Sequence, residues 1–306
     1  MKRDGPKNIV ASVQARLAER SRELGVEHQL TLARFGGERL LYRLSKSEFA
    51  DRFILKGAAL LLMWLGEPIR PTKDVDLLGF GDTSAEALKR VFVELCAVES
   101  RDDGLTFLPE SVRVEAIREE QEYGGMRVKL MAMLGNVRIP LQVDVGAGDA
   151  VVPPPEVLDY PGLLDLPRAR LRAYRPETSI AEKTEAMVRL ALANSRMKDF
   201  FDIHRLVETR TFDGETMRLA LAATFTRRGV DIPDERPLAL TGEFADDAQK
   251  KIQWTAFVRR ARRSDLADLS AIIATLDRFL WPVLQAAARG EPWPRTWSNG
   301  GPWKEQ

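Results

Sequence analysis

The sequence predicts a mixed α/β domain followed by a helical domain, and three observations carry that prediction. Strand-like and helical stretches alternate from Phe53 to Val98. Three strand-like segments then follow in succession up to Val145. Beyond the prolines at 153–155 and the pair Pro161-Gly162, the apolar spacing is helical throughout. Alternation of this kind calls for a sheet covered by helices. The proline-rich stretch predicts the boundary, with an N-terminal helical segment and sheet domain over 1–158 and a helical domain over 159–306.

Residues 8–45 read as helical, because Val10, Val13, Leu17 and Leu24 recur at helical intervals and Leu40, Leu41 and Leu44 continue them. Gly36-Gly37 predicts a break there, since each glycine costs about 1 kcal/mol in a helix interior. Phe53-Ile54-Leu55 reads as a short strand, Lys56-Gly57 as its turn, and Ala58–Gly66 as a buried helix. Residues 67–71 read as a turn, and Asp74–Leu78 as a second strand. Thr83-Ser-Ala-Glu86 has capping-box spacing and predicts a helix through Val98. Segments 112–118, 126–134 and 137–145 predict strands. In the last, Val137, Ile139, Leu141, Val143 and Val145 share one face, opposite Arg138, Pro140, Gln142 and Asp144. Helices are predicted at 180–193, 197–207, 214–225, 245–260 and 265–280, and the Trp-, Pro- and Gly-rich end reads equally as a loose tail or a packed strap.

Composition bounds the function. The chain has 306 residues, with 46 Lys and Arg against 45 Asp and Glu. That balance excludes a globally basic nucleic-acid coat and leaves only local patches. The longest apolar run, Ala58 to Leu65, is eight residues, against the roughly 20 that a membrane span needs. No membrane partner is expected, and no apolar leader follows the first residues. One cysteine, Cys96, reads as buried filler, and the two histidines, His28 and His204, leave little material for a histidine zinc site or triad. A cytoplasmic protein is expected.

The acids carry the chemistry. Asp74 and Asp76 flank Val75 on a strand, so both carboxylates share a face. Two close carboxylates repel unless a cation lies between them, and hard oxygen donors suit Mg²⁺ together with substrate phosphates. Taken alone, the pair reads as well as two solvated acids. Lys56, Gly57 and Ala58 lie at a strand-to-helix turn, where backbone N–H groups can face a phosphate, or where a tight turn simply needs glycine. Asp144 is the one acid on the polar face of its strand. Were that strand to lie beside the Asp-x-Asp strand, three carboxylates would converge into a site for one or two metals and in-line attack on a nucleotide. Asp149, in Gly-Ala-Gly-Asp, reads as a weaker candidate or a turn former.

A glycine at a strand–helix junction, Asp-x-Asp on the next strand and a lone Asp later resemble the polymerase-β-type nucleotidyltransferases. Phe53-Ile-Leu-Lys-Gly-Ala-Ala-Leu60, Arg70-Pro-Thr-Lys-Asp-Val-Asp-Leu77, Glu182-Lys183 with Ala186-Met-Val, and Arg196-Met-Lys-Asp-Phe-Phe-Asp-Ile203 resemble the blocks of the AbiEii/AbiGii toxin family. The resemblance implies a polymerase-β-like mixed sheet with flanking helices and a C-terminal helical domain. It implies an Mg²⁺-dependent nucleotidyltransferase toxin that uses an NTP, modifies RNA at the tRNA acceptor end in some members, and is opposed by an antitoxin, here expected as a DNA-binding repressor. The first block departs from the family's pattern, because Gly57-Ala58-Ala59 lacks the usual hydroxyl.

Carried over residue by residue, the resemblance implies metal binding and catalysis at Asp74, Asp76 and Asp144, nucleotide contacts at Lys56, Gly57, Ala58, Lys183 and Lys198, and a catalytic role for Asp199. Ser179-Ile-Ala-Glu182 has capping-box spacing and predicts Lys183 in the first turns of its helix. Lys198, Asp199 and Asp202 cluster on the next helix, where acids in the first turn are also simply helix-stabilising. Asp199 is expected to orient Lys183 or Lys198 or to act as a base, with Asp202 the weaker candidate. Arginines at 168–175, 227–228 and 259–263 read as an RNA track or as solvated helix faces. Transfer to a protein side chain and a non-catalytic nucleotide-binding scaffold stay open as alternatives.

Overall fold

The computed structural model describes residues 8–66, 74–100, 103–117, 125–261 and 266–305. The predicted turn at 67–71, the start of the Asp-x-Asp block at 70–73, Arg118 and Arg262-Arg263 lie outside the described residues. The chain divides into two units, one of Met1–Gly148 with Glu156–Ala173, the other of Asp149–Pro155 with Tyr174–Gln306. The expected boundary between 158 and 159 falls inside a strand of the first unit.

In the first unit, helices α1 (Ile9–Leu24) and α2 (His28–Ser45) precede β1 (Phe53–Lys56), α3 (Ala59–Leu65), β2 (Val75–Gly79) and α4 (Ala85–Ala97). Strands β3 (Leu105–Ala116), β4 (Met126–Leu134), β5 (Val137–Ala147), β6 (Glu156–Asp159) and β7 (Arg170–Ala173) complete a seven-stranded sheet in the order β3-β4-β5-β2-β1-β7-β6. The sheet is mixed: β2 runs parallel to β5 and β1 parallel to β7, while the other neighbours are antiparallel. The α/β class expected from the sequence is therefore present. Strands β6 and β7 were not predicted; both are four residues long and carry too few side chains to show a period.

Three local expectations are corrected. The N-terminal helical stretch breaks at Gly25, a left-handed C-cap (φ 63°), and α2 runs on through Gly36-Gly37. The reason is packing. A Cβ on Gly36 would lie 2.8 Å from Leu141 Cδ2, and one on Gly37 would lie 3.2 Å from Val75 Cγ2, so the glycines let α2 approach the sheet. The N-cap of α4 is Ser84, whose side chain accepts from Ala87 N, one residue after the predicted Thr83. Strand β3 begins well before residue 112, and a register shift between Leu108 and Arg113 takes up Pro109, a residue with no N–H to give to a ladder. Pro140 is likewise accommodated in β5, where, among the described residues, pairing with β2 starts at Val143.

Helix α2 also buries charge. Asp103 accepts from Arg39 Nε at 3.0 Å and from Arg43 Nη1 at 2.7 Å. Glu38, 4% exposed, accepts from Leu163 N at 2.8 Å.

The second unit contains α5 (Pro176–Leu190), α6 (Met197–Thr209), β8 (Phe212–Asp213), α7 (Gly214–Arg227), α8 (Gly242–Asp246), α9 (Ala248–Ala261), α10 (Leu269–Arg289), β9 (Arg295–Trp297) and β10 (Trp303–Glu305). Helix α5 starts at Pro176 rather than at the Ser179 box, since proline is preset for the first helical position; Lys183 is therefore in mid-helix. The single helix predicted at 245–260 is two, because Asp247 interrupts it and caps the second by accepting from Lys250 N. Helix α10 continues through Pro282, with Val283, Leu284, Ala286 and Ala287 buried. Among the described residues it alone is long and apolar enough to cross a membrane, yet most of it is buried inside this unit.

The C-terminal segment is a strap: β8, β9 and β10 form a three-stranded sheet. Trp297 is fully buried and donates to Val207 O, while Trp303 donates to Phe279 O and stacks on its ring.

Two outcomes follow from this packing. A Cβ on Gly214 would meet Trp293 O at 2.6 Å and Arg295 O at 2.7 Å. Gly214→Ala should therefore lower stability by about 1–3 kcal/mol and expose the strap, read by urea unfolding and limited proteolysis. Burial, the largest influence, raises the Glu38 pKa to about 7 against the lowering effect of the Leu163 N–H and of Arg39 and Arg34. The folded state then binds the extra proton, so Glu38 stabilises below pH 4.5 and loses that contribution as pH rises towards 7. Relative to wild type, Glu38→Gln should gain on the order of 2–3 kcal/mol between pH 4.5 and 8, measured by denaturant unfolding at each pH.

Candidate active site

The parallel pairing of β2 with β5 sets Asp76 opposite Asp144, and the antiparallel pairing of β1 with β2 sets Lys56 opposite Asp76. On the far side, β4 sets Arg127 opposite Asp144. Four charged residues therefore stand in one row across neighbouring strands, in the order Lys56, Asp76, Asp144, Arg127. Adjacent strands are about 4.8 Å apart, so the two carboxylates are close neighbours between two cations. Asp74 lies just before β2, exposed, on the side that period two gives to Asp76. The convergence expected for Asp76 and Asp144 is thus present in the register.

Gly57 has φ 74°, a conformation that glycine adopts without strain. A Cβ there would lie 2.6 Å from Asp76 Cγ and run into its Oδ2. The reading of Gly57 as a tight turn that needs a positive φ holds, and the Asp76 carboxylate also needs the space that a side chain here would fill. Ala58 is the N-cap of α3 and makes no side-chain cap bond, so any polar contact made by this turn falls to its backbone and to Lys56.

Arg127 is the participant that the sequence did not reveal. Its Nε donates to Asp144 Oδ1 and its Nη2 to Asp144 Oδ2, both at 2.8 Å. No motif marks it; only the β4–β5 register brings it to Asp144. The hydrogen bonds to Asp144 are the main reason that the Arg127 pKa lies above its ordinary value, with the charges of Asp144, Asp74 and Glu115 adding to them. Among the described residues no group of three or more His, Cys, Asp or Glu side chains is arranged as a metal cage. The donor chemistry nevertheless suits Mg²⁺, which is commonly held by one or two carboxylates with waters and substrate phosphates. Asp74 and Asp76 meet that need, while Asp144 is engaged by Arg127.

The second unit holds a separate charged centre. Lys183 Nζ donates to Asp199 Oδ1 at 2.7 Å and to Asp202 Oδ2 at 2.9 Å, and both acids are fully buried. Arg196 Nε lies 2.7 Å from Asp199 Oδ2. Burial, the largest influence, would raise the Asp199 pKa, but Lys183 and Arg196 outweigh it and hold the carboxyl below its ordinary value. Asp199 and Asp202 therefore fix the position of the Lys183 ammonium. Asp202, the weaker candidate from sequence, is an equal partner. Lys198 is exposed. On the other side of α5, Arg228 donates to Glu185 Oε2 at 2.5 Å and to Asp149 Oδ1 at 3.4 Å, which ties Asp149 into this unit's ion network and takes Arg228 out of any basic track. Of the arginines in the predicted basic stretches, those at 168, 170, 175, 227, 259 and 260 are exposed. Burial pushes the Cys96 thiol up to about 11, as befits filler.

A seven-stranded mixed sheet with Asp-x-Asp beside a third acid, and a glycine turn under the second acid, has the organisation of a nucleotidyltransferase. Residues 39–282 match the family model of the nucleotidyl transferase AbiEii toxin of type IV toxin–antitoxin systems, and the chain belongs to that family. No curated protein matches it in sequence. It is similar to two crystal structures from Helicobacter pylori, of a candidate nucleotidyltransferase and of JHP933. Each is 16% identical with a TM-score of 0.46; 86% of this chain covers 94% of the first and 91% of the second.

Gly57→Ala should displace the Asp76 side chain and strain the turn, with a loss of stability of about 1–3 kcal/mol. Thermal unfolding and a crystal structure of the variant would check this; an unmoved Asp76 would show that the close approach is not a constraint.

Proposed function

We propose that the chain transfers an NMP from an NTP to a hydroxyl of RNA, at the tRNA acceptor end, with pyrophosphate leaving, and that it acts in the cytoplasm. The observation that carries this reading is the register that sets Asp76 beside Asp144, with Gly57 leaving room for the Asp76 carboxylate, in a member of a nucleotidyltransferase toxin family. Asp74 and Asp76 would hold Mg²⁺. Bound there, the metal supplies a Lewis acid that neutralises triphosphate charge and polarises the phosphoryl group.

The chain's own residues supply the rest. Lys56 sits opposite Asp76 and gives positive charge at the turn where Gly57 and Ala58 offer backbone N–H groups to phosphate. Asp144 completes the acidic row and is held in one orientation by Arg127. Lys183 and Lys198 supply cations for the triphosphate, Lys183 rigidly and Lys198 on an exposed side chain. Asp199 acts by positioning Lys183; a fully buried carboxylate held below its ordinary pKa is a poor base. A type IV toxin is met by an antitoxin, and a DNA-binding repressor is the partner proposed here.

The test is incubation of the purified chain with each α-³²P-labelled NTP, Mg²⁺ and total RNA, beside Asp76→Asn. Label should appear on RNA and fall by about 10²–10³-fold in the variant, the scale of losing a group that stabilises transition-state charge. Label on protein would move the acceptor to a side chain. No label and no nucleotide binding would remove the site assignment.

A further inference from the structure

The Arg127–Asp144 pair uses the full fork of the guanidinium on one carboxylate. Gln142, two residues earlier on the same face of β5, sets its amide against the same arginine; with the amide oriented to satisfy both groups, its oxygen accepts from Nε at 3.0 Å and from Nη2 at 3.3 Å. Neither charge is deeply buried: the side chains are 31% and 22% exposed. The pair is therefore within reach of a solvated cation. Its place in the row makes it consequential, because Lys56, Asp76, Asp144 and Arg127 follow one another on paired strands and their formal charges cancel. A divalent ion approaching this face meets a row that is already neutral, with Asp74 as its additional acid.

We propose that Arg127 is an internal counter-cation that competes with the divalent metal for Asp144, so that the NTP-free chain holds its metal through Asp74 and Asp76 and Arg127 sets how tightly. The inference rests on the metal assignment proposed above. Arg127 is a positioning residue on this view: it fixes Asp144 and acts on the metal through it. Removing the guanidinium leaves the Asp144 carboxylate, on the strand next to Asp76, as one uncompensated negative charge and frees its two oxygens. One added unit charge at such a distance in a partly solvated site corresponds to about a tenfold change in affinity for a divalent ion.

The experiment is titration of the full-length, NTP-free protein with Mn²⁺, following free Mn²⁺ by electron paramagnetic resonance, for wild type, Arg127→Gln, Arg127→Gln with Asp144→Asn, and Asp74→Asn with Asp76→Asn. The expected result is about tenfold tighter Mn²⁺ binding in Arg127→Gln and a return to wild-type affinity in its Asp144→Asn double variant. Unchanged or weaker binding in a folded Arg127→Gln overturns the proposal, as does an absence of Mn²⁺ binding in both wild type and Arg127→Gln. Should Arg127→Gln fail to fold, the double variant decides, since it removes both partners together. Wild-type affinity there supports competition, and a tenfold loss makes Asp144 a metal ligand already in the wild type and overturns it. The acid-pair variant separates the two readings. Mn²⁺ binding that survives it removes the metal assignment itself. Binding lost there, without a gain in Arg127→Gln, removes only the role of Arg127.

Discussion

The candidate site of the first unit depends on one pairing, that of β2 with β5. Parallel strands place equivalent residues side by side without offset in facing, so Asp76 and Asp144 emerge on one side of the sheet as neighbours. Two adjacent carboxylates on a half-exposed face repel each other, and the structure answers with a cation on each flank: Lys56 opposite Asp76 and Arg127 opposite Asp144. The row can then persist in a chain that holds no metal. It also gives the acids distinct environments, because Asp144 is fully engaged by a guanidinium and Asp76 rests against a glycine that no other residue type can replace without moving it.

Close approach made possible by glycine recurs away from the row. Gly36 and Gly37 bring α2 onto Leu141 and Val75, residues of the same two strands that carry the acids. The site face and the helix face of β2 and β5 are thus served by the same device, the omission of a side chain where two elements must meet. The second unit uses a different one. Lys183 is held by two buried acids, with Arg196 against one of them, and such a cluster endures because each charge has partners that repay its loss of water. Removing one member would strand the others, so the cluster fixes a lysine in place far more firmly than an exposed pair would.

The family match spans residues 39–282, and the structure gives a physical task to the sequence blocks that resemble the family. The glycine turn makes room for Asp76, the Asp-x-Asp strand supplies the metal-binding acids proposed here, and the α6 block supplies the acids that hold the α5 lysine. The hydroxyl missing from Gly57-Ala58-Ala59 leaves α3 with an alanine N-cap and no side-chain cap bond, so the turn offers phosphate only what its backbone and Lys56 provide.

By itself the sequence determined what depends on local periodicity and residue type. The strict alternation of β5 assigned its buried and polar faces, and the Asp-x-Asp spacing set two acids on one side. Tertiary structure decided everything that needs two distant segments at once. Register made Arg127 a partner of Asp144, though nothing near residue 127 signals it. Packing against the sheet kept α2 continuous through a glycine pair that local propensity reads as a break. Burial made Asp202 an equal holder of Lys183, and short strands at 156–159 and 170–173 joined the first sheet although the neighbouring prolines at 153–155 and 161 suggested a linker. Periodicity reports which way a side chain points; only the fold reports what it meets there.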